Sequence, residues 1–482
     1  MSQGLLSLIL FSSVALKAHA EIDERRFTPS NIITRDVAII GGGASGTYAA
    51  VRLREDLNTS IVVIESANRL GGHVQTYNIP GTNTTIEYGV QSYISYGPAL
   101  GFFQRFGIET VPFVSRRLTT VNVDIETGKT LGGYIAPSNN ATTEAFQTWL
   151  TFVEKYEALV EPGYWNFPPP DRIPAEFLVP FPEFARKLKI EAAVPRIMAI
   201  SGFGNEGHGL KNLLTMHVVQ AFGAPVTRGL LDGSLVVPVG SNSLLYQRAY
   251  DLLKKDVYLE STIKETARSR SGVRVVVNTK DGDVLIKAKR ALWTPYPGGN
   301  LKNFDEDSKE RGVFNTWDHV WQSFIGVLHI PCIPENYSIA YITKTAVPSD
   351  HLSTRDYNFT VRFDSTGPSG QGLFRVLFST NYTTSLDGAK EVITQSIQKA
   401  VTAGSLNSTG DCPIEFKAFA VHNVNYWPLG KKIIENGFVQ KLYALQGYRS
   451  TWYTGRSWGA VYSSSVWTFT DTVLERLLKG LK

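Results

Sequence analysis

Gly41, Gly43 and Gly46 take the first, third and sixth places of the stretch Gly41-Gly42-Gly43-Ala44-Ser45-Gly46, which follows the apolar run Val37-Ala38-Ile39-Ile40. This spacing suits one task well, bringing backbone against a diphosphate. The first glycine permits the tight turn, the second removes a side chain that would hold a pyrophosphate away, and the third lets helix and strand pack closely. Ala44 and Ser45 complete the turn. The helix read from Thr47 to Leu57 points free N–H groups and a partial positive charge at the phosphates. Glu65, nineteen positions beyond Gly46, closes a second apolar run, Ile61-Val62-Val63-Ile64. A carboxylate there accepts hydrogen bonds from ribose hydroxyls and repels a 2′-phosphate. Arg69-Leu70-Gly71-Gly72-His73 comes next: its paired glycines let backbone pass the same pyrophosphate, and Arg69 offsets phosphate charge.

These residues need a strand, a turn, a helix and a second strand to place them, and the patterning supplies all four. Continuous apolar runs such as 37–40 and 61–64 mark parallel strands buried on both faces. From there to about Ser234, short strands, amphipathic helices and Pro-rich loops such as Phe167-Pro168-Pro169-Pro170 read as an insertion. Leu235-Val236-Val237-Pro238 then leads to a helix from Leu244 to Lys255 and to strands at 257–259, 273–277 and 291–294. The region from Trp321 to about Ala420 is rich in β alternation. Thr451-Trp452-Tyr453, Gly455 and a helix from Ser463 to Leu481 close the chain.

The chain has 482 residues, 43% of them hydrophobic and 19% charged, an ordinary globular balance with enough apolar material for a large core. The net charge is +5 with no dense Lys/Arg run, which argues against a nucleic-acid partner. Residues 1–20, with the apolar run Leu5 to Leu16 and then Ala18-His19-Ala20, read as a secretory leader. That run is too short for a stable membrane span. Sequons at Asn58, Asn83, Asn140, Asn336, Asn358, Asn381 and Asn407 agree with a secreted or secretory-lumen glycoprotein. Cys332 and Cys412 are few enough to form at most one disulfide, and neither belongs to a metal-ligand cluster. The oligomeric state is not legible.

The GxGxxG turn, Glu65 and Arg69-Leu70-Gly71-Gly72 together resemble the flavin-containing amine oxidase superfamily. The resemblance implies an α/β fold, a Rossmann-like FAD-binding domain with an inserted mixed α+β substrate domain. On that reading 35–95, 235–300 and 431–482 bind FAD, while 96–234 and 301–430 form the substrate domain. It also implies that Gln91, in the stretch Glu87 to Tyr93, turns toward the isoalloxazine, and that backbone near Ile263 holds the adenine. The superfamily usually carries Arg where this chain has His73. Thr451-Trp452-Tyr453-Thr454-Gly455-Arg456 resembles its C-terminal flavin segment, with Arg456 in place of an acid. Leu445 to Gly455, with Ser463-Ser464-Ser465, is similar to the fungal beta-cyclopiazonate dehydrogenase group. The same pattern, with Phe181-Pro182-Glu183-Phe184 and Gly202-Phe203-Gly204, is similar to a bacterial FAD-containing fatty-acid double-bond isomerase.

A flavin takes a hydride at N5, and the protein orients the substrate and tunes the charge around it. The resemblance therefore implies oxidation of a small secondary metabolite or amine, with oxidative cyclisation in fungal natural-product biosynthesis as one form. The alternative is redox-neutral double-bond isomerisation of an unsaturated fatty acid or similar molecule. Candidate substrate-side residues are Tyr93, His422, Tyr426, Trp427, Trp452 and Tyr453. Aromatic faces hold planar or cationic substrates, and His422 is a candidate general base.

Overall fold

The computed structural model describes residues 22–201, 210, 213–297, 303–317, 322–352, 357–408, 412–423, 429–459 and 461–481. The leader read at 1–20 lies outside them, as do Tyr426 and Trp427.

Apolar runs buried on both faces become the centre of a parallel sheet because helices cover each side. Val37, Ala38 and Ile39 are fully buried in the strand Ile32–Ile40. That strand pairs in parallel with Ile61–Ile64 on one side and with Gly282–Trp293 on the other. The seven-stranded sheet runs Thr262–Ser269, Gly272–Thr279, Gly282–Trp293, Ile32–Ile40, Ile61–Ile64, Val257–Tyr258, and Thr451–Tyr453 also joins Gly282–Trp293. The stretch 291–294, read as a strand of its own, is the end of that twelve-residue strand. Its first part pairs antiparallel with Gly272–Thr279 as far as Ala288, and Ala291 to Trp293 then take Thr451–Tyr453 as partner. The C-terminal segment is thereby laid beside the glycine turn.

The second half is a six-stranded sheet in the order Glu415–Val421, Gln322–His329, Leu373–Thr380, Phe359–Ser365, Tyr337–Ile342, Thr119–Asp124. The helix Leu386–Thr402 covers it through Ala389, Ile393, Ile397 and Ala400, a helical stripe capped by the Ser385 hydroxyl, which accepts from the Gly388 N–H. Cys332 and Cys412 are joined by a disulfide in this half, with their Cα atoms 5.2 Å apart. Between the two sheets in sequence lies a helical layer. Its longest member, Asn139–Val160, buries Phe146, Trp149, Val153, Tyr156 and Val160 at helical spacing.

Candidate functional site

Gly43 is the N-cap of the helix Ala44–Val51, so the helix begins three residues earlier than its apolar pattern marks. Gly41 and Gly46 leave no room for a side chain. A methyl group on Gly46 would stand 1.9 Å from the Gly41 carbonyl oxygen, and Gly41 itself has φ +91°. The second glycine loop is tied to the first by the Gly71 N–H donating to the Gly42 carbonyl at 2.8 Å. A methyl group on Gly72 would meet the Gly43 Cα at 3.0 Å. On Gly455, at φ +106°, it would stand 2.9 Å from the Thr294 carbonyl and 3.4 Å from the buried Ser45 hydroxyl. Three distant segments thus converge on one backbone cradle, and it fits a diphosphate.

Polar groups hold the cradle in shape. Glu65 accepts from the Gly42 N–H at 2.6 Å through one oxygen and from the Ala67 N–H at 2.7 Å through the other. The Ser261 N–H donates to the Glu65 carbonyl at 2.9 Å, which ties the start of the strand holding Ile263 to the Glu65 end of the cradle. Ile263 is half-buried, and its carbonyl accepts from Asn303 at 2.7 Å. Arg69 donates to the Leu70 and Gly72 carbonyls, each at 3.1 Å, so its guanidinium braces its own loop. The Ala44 carbonyl accepts from the Trp467 indole at 3.0 Å. Ser464, near the start of the closing helix Ser463–Leu477, donates to the Ile94 carbonyl, which accounts for its hydroxyl proton. Gln91 is half-buried. Beside it the Val90 carbonyl accepts from Asn242, whose own N–H donates to Glu87 at 3.0 Å. Burial pushes the Glu87 carboxyl up to about 7.

The two departures from the superfamily pattern, His73 and Arg456, lie together, and His422 joins them. The His73 and His422 rings stand 4.1 Å apart, centroid to centroid, at 32°. His73 is exposed to solvent at its surface, with protein packed densely around it. Burial holds its imidazole down at about 4, and the charges of Arg456 and Arg69 lower it further. Burial, then His73 and Arg456, hold His422 well below the usual histidine range. Both rings are therefore neutral at ordinary pH. Tyr462 lines the same place, half-buried, with the Arg456 charge acting on its phenol. Its sequence signal was its position just before the closing helix.

The other aromatic candidates fall in the core. Tyr93 is 1% exposed and stacks on Trp467 at 5.6 Å. Trp452 is buried under Arg290, whose guanidinium lies 4.9 Å over its ring. Tyr453 is fully buried, stacks on Trp458 at 4.5 Å and donates to Glu310 at 3.3 Å. These side chains fill packing space, Trp452 and Tyr453 from a strand of the seven-stranded sheet and Tyr93 from the short strand Tyr93–Ile94.

Tyr453 leads instead to a cluster that pattern reading missed. Arg268 makes a bidentate pair with Glu310 at 2.7 and 2.8 Å, and its Nε donates to Asp305 at 2.7 Å. Arg449 bonds both acids from the other side. The Arg268 and Glu310 side chains are 2% and 0% exposed. Only the capping box Asp307-Ser308-Lys309-Glu310 has a local signature. The arginines sit 42 and 139 residues from Glu310.

A family model described as an NAD(P)-binding Rossmann-like domain matches residues 39–106. The FAD-dependent oxidoreductase pigF of Monascus ruber is 32% identical over 99% of this chain and 100% of its own length. This chain belongs to that family of FAD-dependent oxidoreductases. The family includes the beta-cyclopiazonate dehydrogenase of Aspergillus oryzae, 28% identical over 97% of each chain. Among solved structures, a CLA-producing fatty acid isomerase from P. acnes matches with a TM-score of 0.70 at 16% identity, covering 92% of this chain and 98% of its own. Putrescine oxidase bound to putrescine matches with a TM-score of 0.60 at 15% identity, over 92% of this chain and 99% of its own. The family identity makes FAD the cofactor of the glycine cradle. Among the described residues no cluster of side chains could hold a metal ion, and no helix is long and apolar enough to cross a membrane.

Proposed function

We propose that this FAD-dependent oxidoreductase removes a hydride from a small secondary metabolite, and that His422 takes the accompanying proton. The observation that carries the reading is the His73–His422 pair, two neutral imidazoles in contact where the substrate sheet meets the cradle. Bound FAD supplies the hydride acceptor. Gly41, Gly43, Gly46, Gly71, Gly72 and Gly455 would admit its diphosphate, and Glu65 would accept from its ribose hydroxyls. His422 is a base already free of its proton, as a general base must be. Arg456 places positive charge beside both imidazoles, which favours a neutral or acidic substrate over a protonated amine. The dehydrogenase name of one relative agrees with hydride removal.

The test is anaerobic reduction of the purified yellow protein by candidate metabolites. Bleaching of the flavin spectrum with a product lighter by two hydrogens supports the reading. A product of unchanged mass with a moved double bond would replace oxidation by isomerisation. We place the enzyme in the secretory lumen, on the leader-like first twenty residues, seven sequons and the Cys332–Cys412 disulfide.

A further inference from the structure

All seven sequon asparagines are exposed. Four flank the six-stranded sheet, Asn336, Asn358 and Asn381 next to strand ends and Asn407 in the connection after the helix Leu386–Thr402, and they form two pairs at opposite ends. Phe359 faces Thr380 in the antiparallel pairing of Phe359–Ser365 with Leu373–Thr380. One step further out, the Asn381 N–H donates to the Asn358 carbonyl at 3.1 Å, so the two sequon asparagines face each other across the strands. At the other end, Asn407 donates through its side-chain amide to the Tyr337 hydroxyl at 3.3 Å, beside Asn336. Ser338 pairs with Asp364, near the far end of the strand that follows Asn358.

The Asn358–Asn381 end is also the His422 end. The His422 N–H donates to the Ser323 carbonyl at 2.7 Å, and the neighbouring Gln322 pairs with Thr380. Two strand spacings therefore separate the His422 strand from the Asn381 strand, ~10 Å. Directly opposed residues on an antiparallel pair have Cβ atoms about 5 Å apart, a distance at which two oligosaccharides crowd each other.

We propose that Asn358 and Asn381 are N-glycosylation sites at the His422 end of the substrate sheet, and that their occupancies compete. The transfer takes a polyprenyl-diphosphate-linked oligosaccharide from the host. The asparagine amide nitrogen bonds the anomeric carbon, the sugar–phosphate C–O bond breaks, the lipid diphosphate leaves and the amide proton is released. No oxidation occurs. The inference rests on the lumenal placement above, and the experiment separates the two. The full chain is expressed in a eukaryotic host, once with its own first twenty residues and once behind a heterologous secretion leader. Secreted protein is treated with peptide N-glycosidase in ¹⁸O-water and mapped by mass spectrometry. The expected result is ¹⁸O-labelled aspartate at both positions, each only partly occupied, with occupancy at Asn381 rising at least twofold in Asn358→Gln. Absence of label at both positions in the chain secreted by the heterologous leader overturns the sites. Unchanged Asn381 occupancy in Asn358→Gln overturns the competition. Retention of the native-leader chain in the cytosol overturns the lumenal placement alone, because the second arm still reads the sites.

Discussion

The two halves of the molecule reach the cleft by different means. The dinucleotide half offers backbone: Gly46 lies against Gly41, Gly72 against Gly43 and Gly455 against Thr294, so closely that side-chain atoms are excluded. The half built on the six-stranded sheet offers a side chain, His422, carried at the end of Glu415–Val421. A backbone site is written in a few consecutive residues and fails outright when one of them gains a methyl group. A side-chain site depends on strand register set far away, and it fails by degrees.

Gly46→Ala is the severest test of that contrast. Its Cβ would lie 1.9 Å from a carbonyl oxygen that cannot move without opening the first turn. The expected outcome is protein purified without bound FAD, colourless and destabilised by ~3 kcal/mol or more. A yellow, stable Gly46→Ala protein would show that the cradle is looser than its geometry. Glu310→Ala comes next. It leaves Arg268 and Arg449 buried with Asp305 as their remaining carboxylate, and breaking a buried pair costs about 3–5 kcal/mol. Urea denaturation should show that loss, which would place the second most fragile point of the dinucleotide half outside its glycine motif.

His422→Asn addresses the side-chain half. Loss of a general base lowers turnover by ~10²–10⁴-fold, while FAD content stays unchanged because the cradle is untouched. In the unsubstituted enzyme, turnover needs neutral His422, and its pKa lies well below 6.5. The acid limb of the pH profile should therefore fall below pH 6.5, with no inflection at that value. The linkage for His73 has the same direction. Its folded pKa is depressed to about 4 from 6.5, so its contribution to stability is complete above pH 6.5 and declines as pH falls toward 4. The slope in that window stays below the ~1.4 kcal/mol per unit of a fully desolvated group, because solvent reaches the His73 ring. His73→Asn should flatten it in pH-dependent urea unfolding.

Exchange of charge is a smaller effect. Arg456→Glu exchanges the positive charge beside His73 and His422 for a negative one, which should raise the His422 pKa and lower turnover at acid pH, and adding His73→Arg should recover part of it. Independent losses in the double variant would show that the two positions do not share a task.

How much of this was legible followed the same division. The β-α-β unit, Glu65 and the glycine loops were readable because each is local, a spacing or a run within ten residues. The strand at 61–64 needed no revision. Helix Ala44–Val51 began earlier than expected because apolar periodicity cannot see a helix whose first turn is glycine-rich. That Arg456 faces His73 and His422 was not readable, since the three positions meet only through the folding of separate segments. Trp452 and Tyr453 are ambiguous for a physical reason: an aromatic residue beside a flavin segment looks the same in sequence whether it faces substrate or fills the layer behind.

Tyr453→Phe, the mildest change, decides that last point. The hydroxyl donates to Glu310 and lies 3.5 Å from an Arg268 nitrogen, inside the ion cluster and away from the His73–His422 cleft. Burial raises its pKa well above the ordinary phenol value, so it carries its proton at every pH the enzyme meets. Removing it leaves ring packing on Trp458 intact and deletes one hydrogen bond to a charged group that keeps two arginine partners. The expected cost is about 1 kcal/mol in unfolding free energy, with kcat and KM unchanged. A fall in kcat at constant stability would return Tyr453 to the substrate side. It would also mean that the C-terminal strand, as well as the substrate sheet, brings chemistry to the cleft.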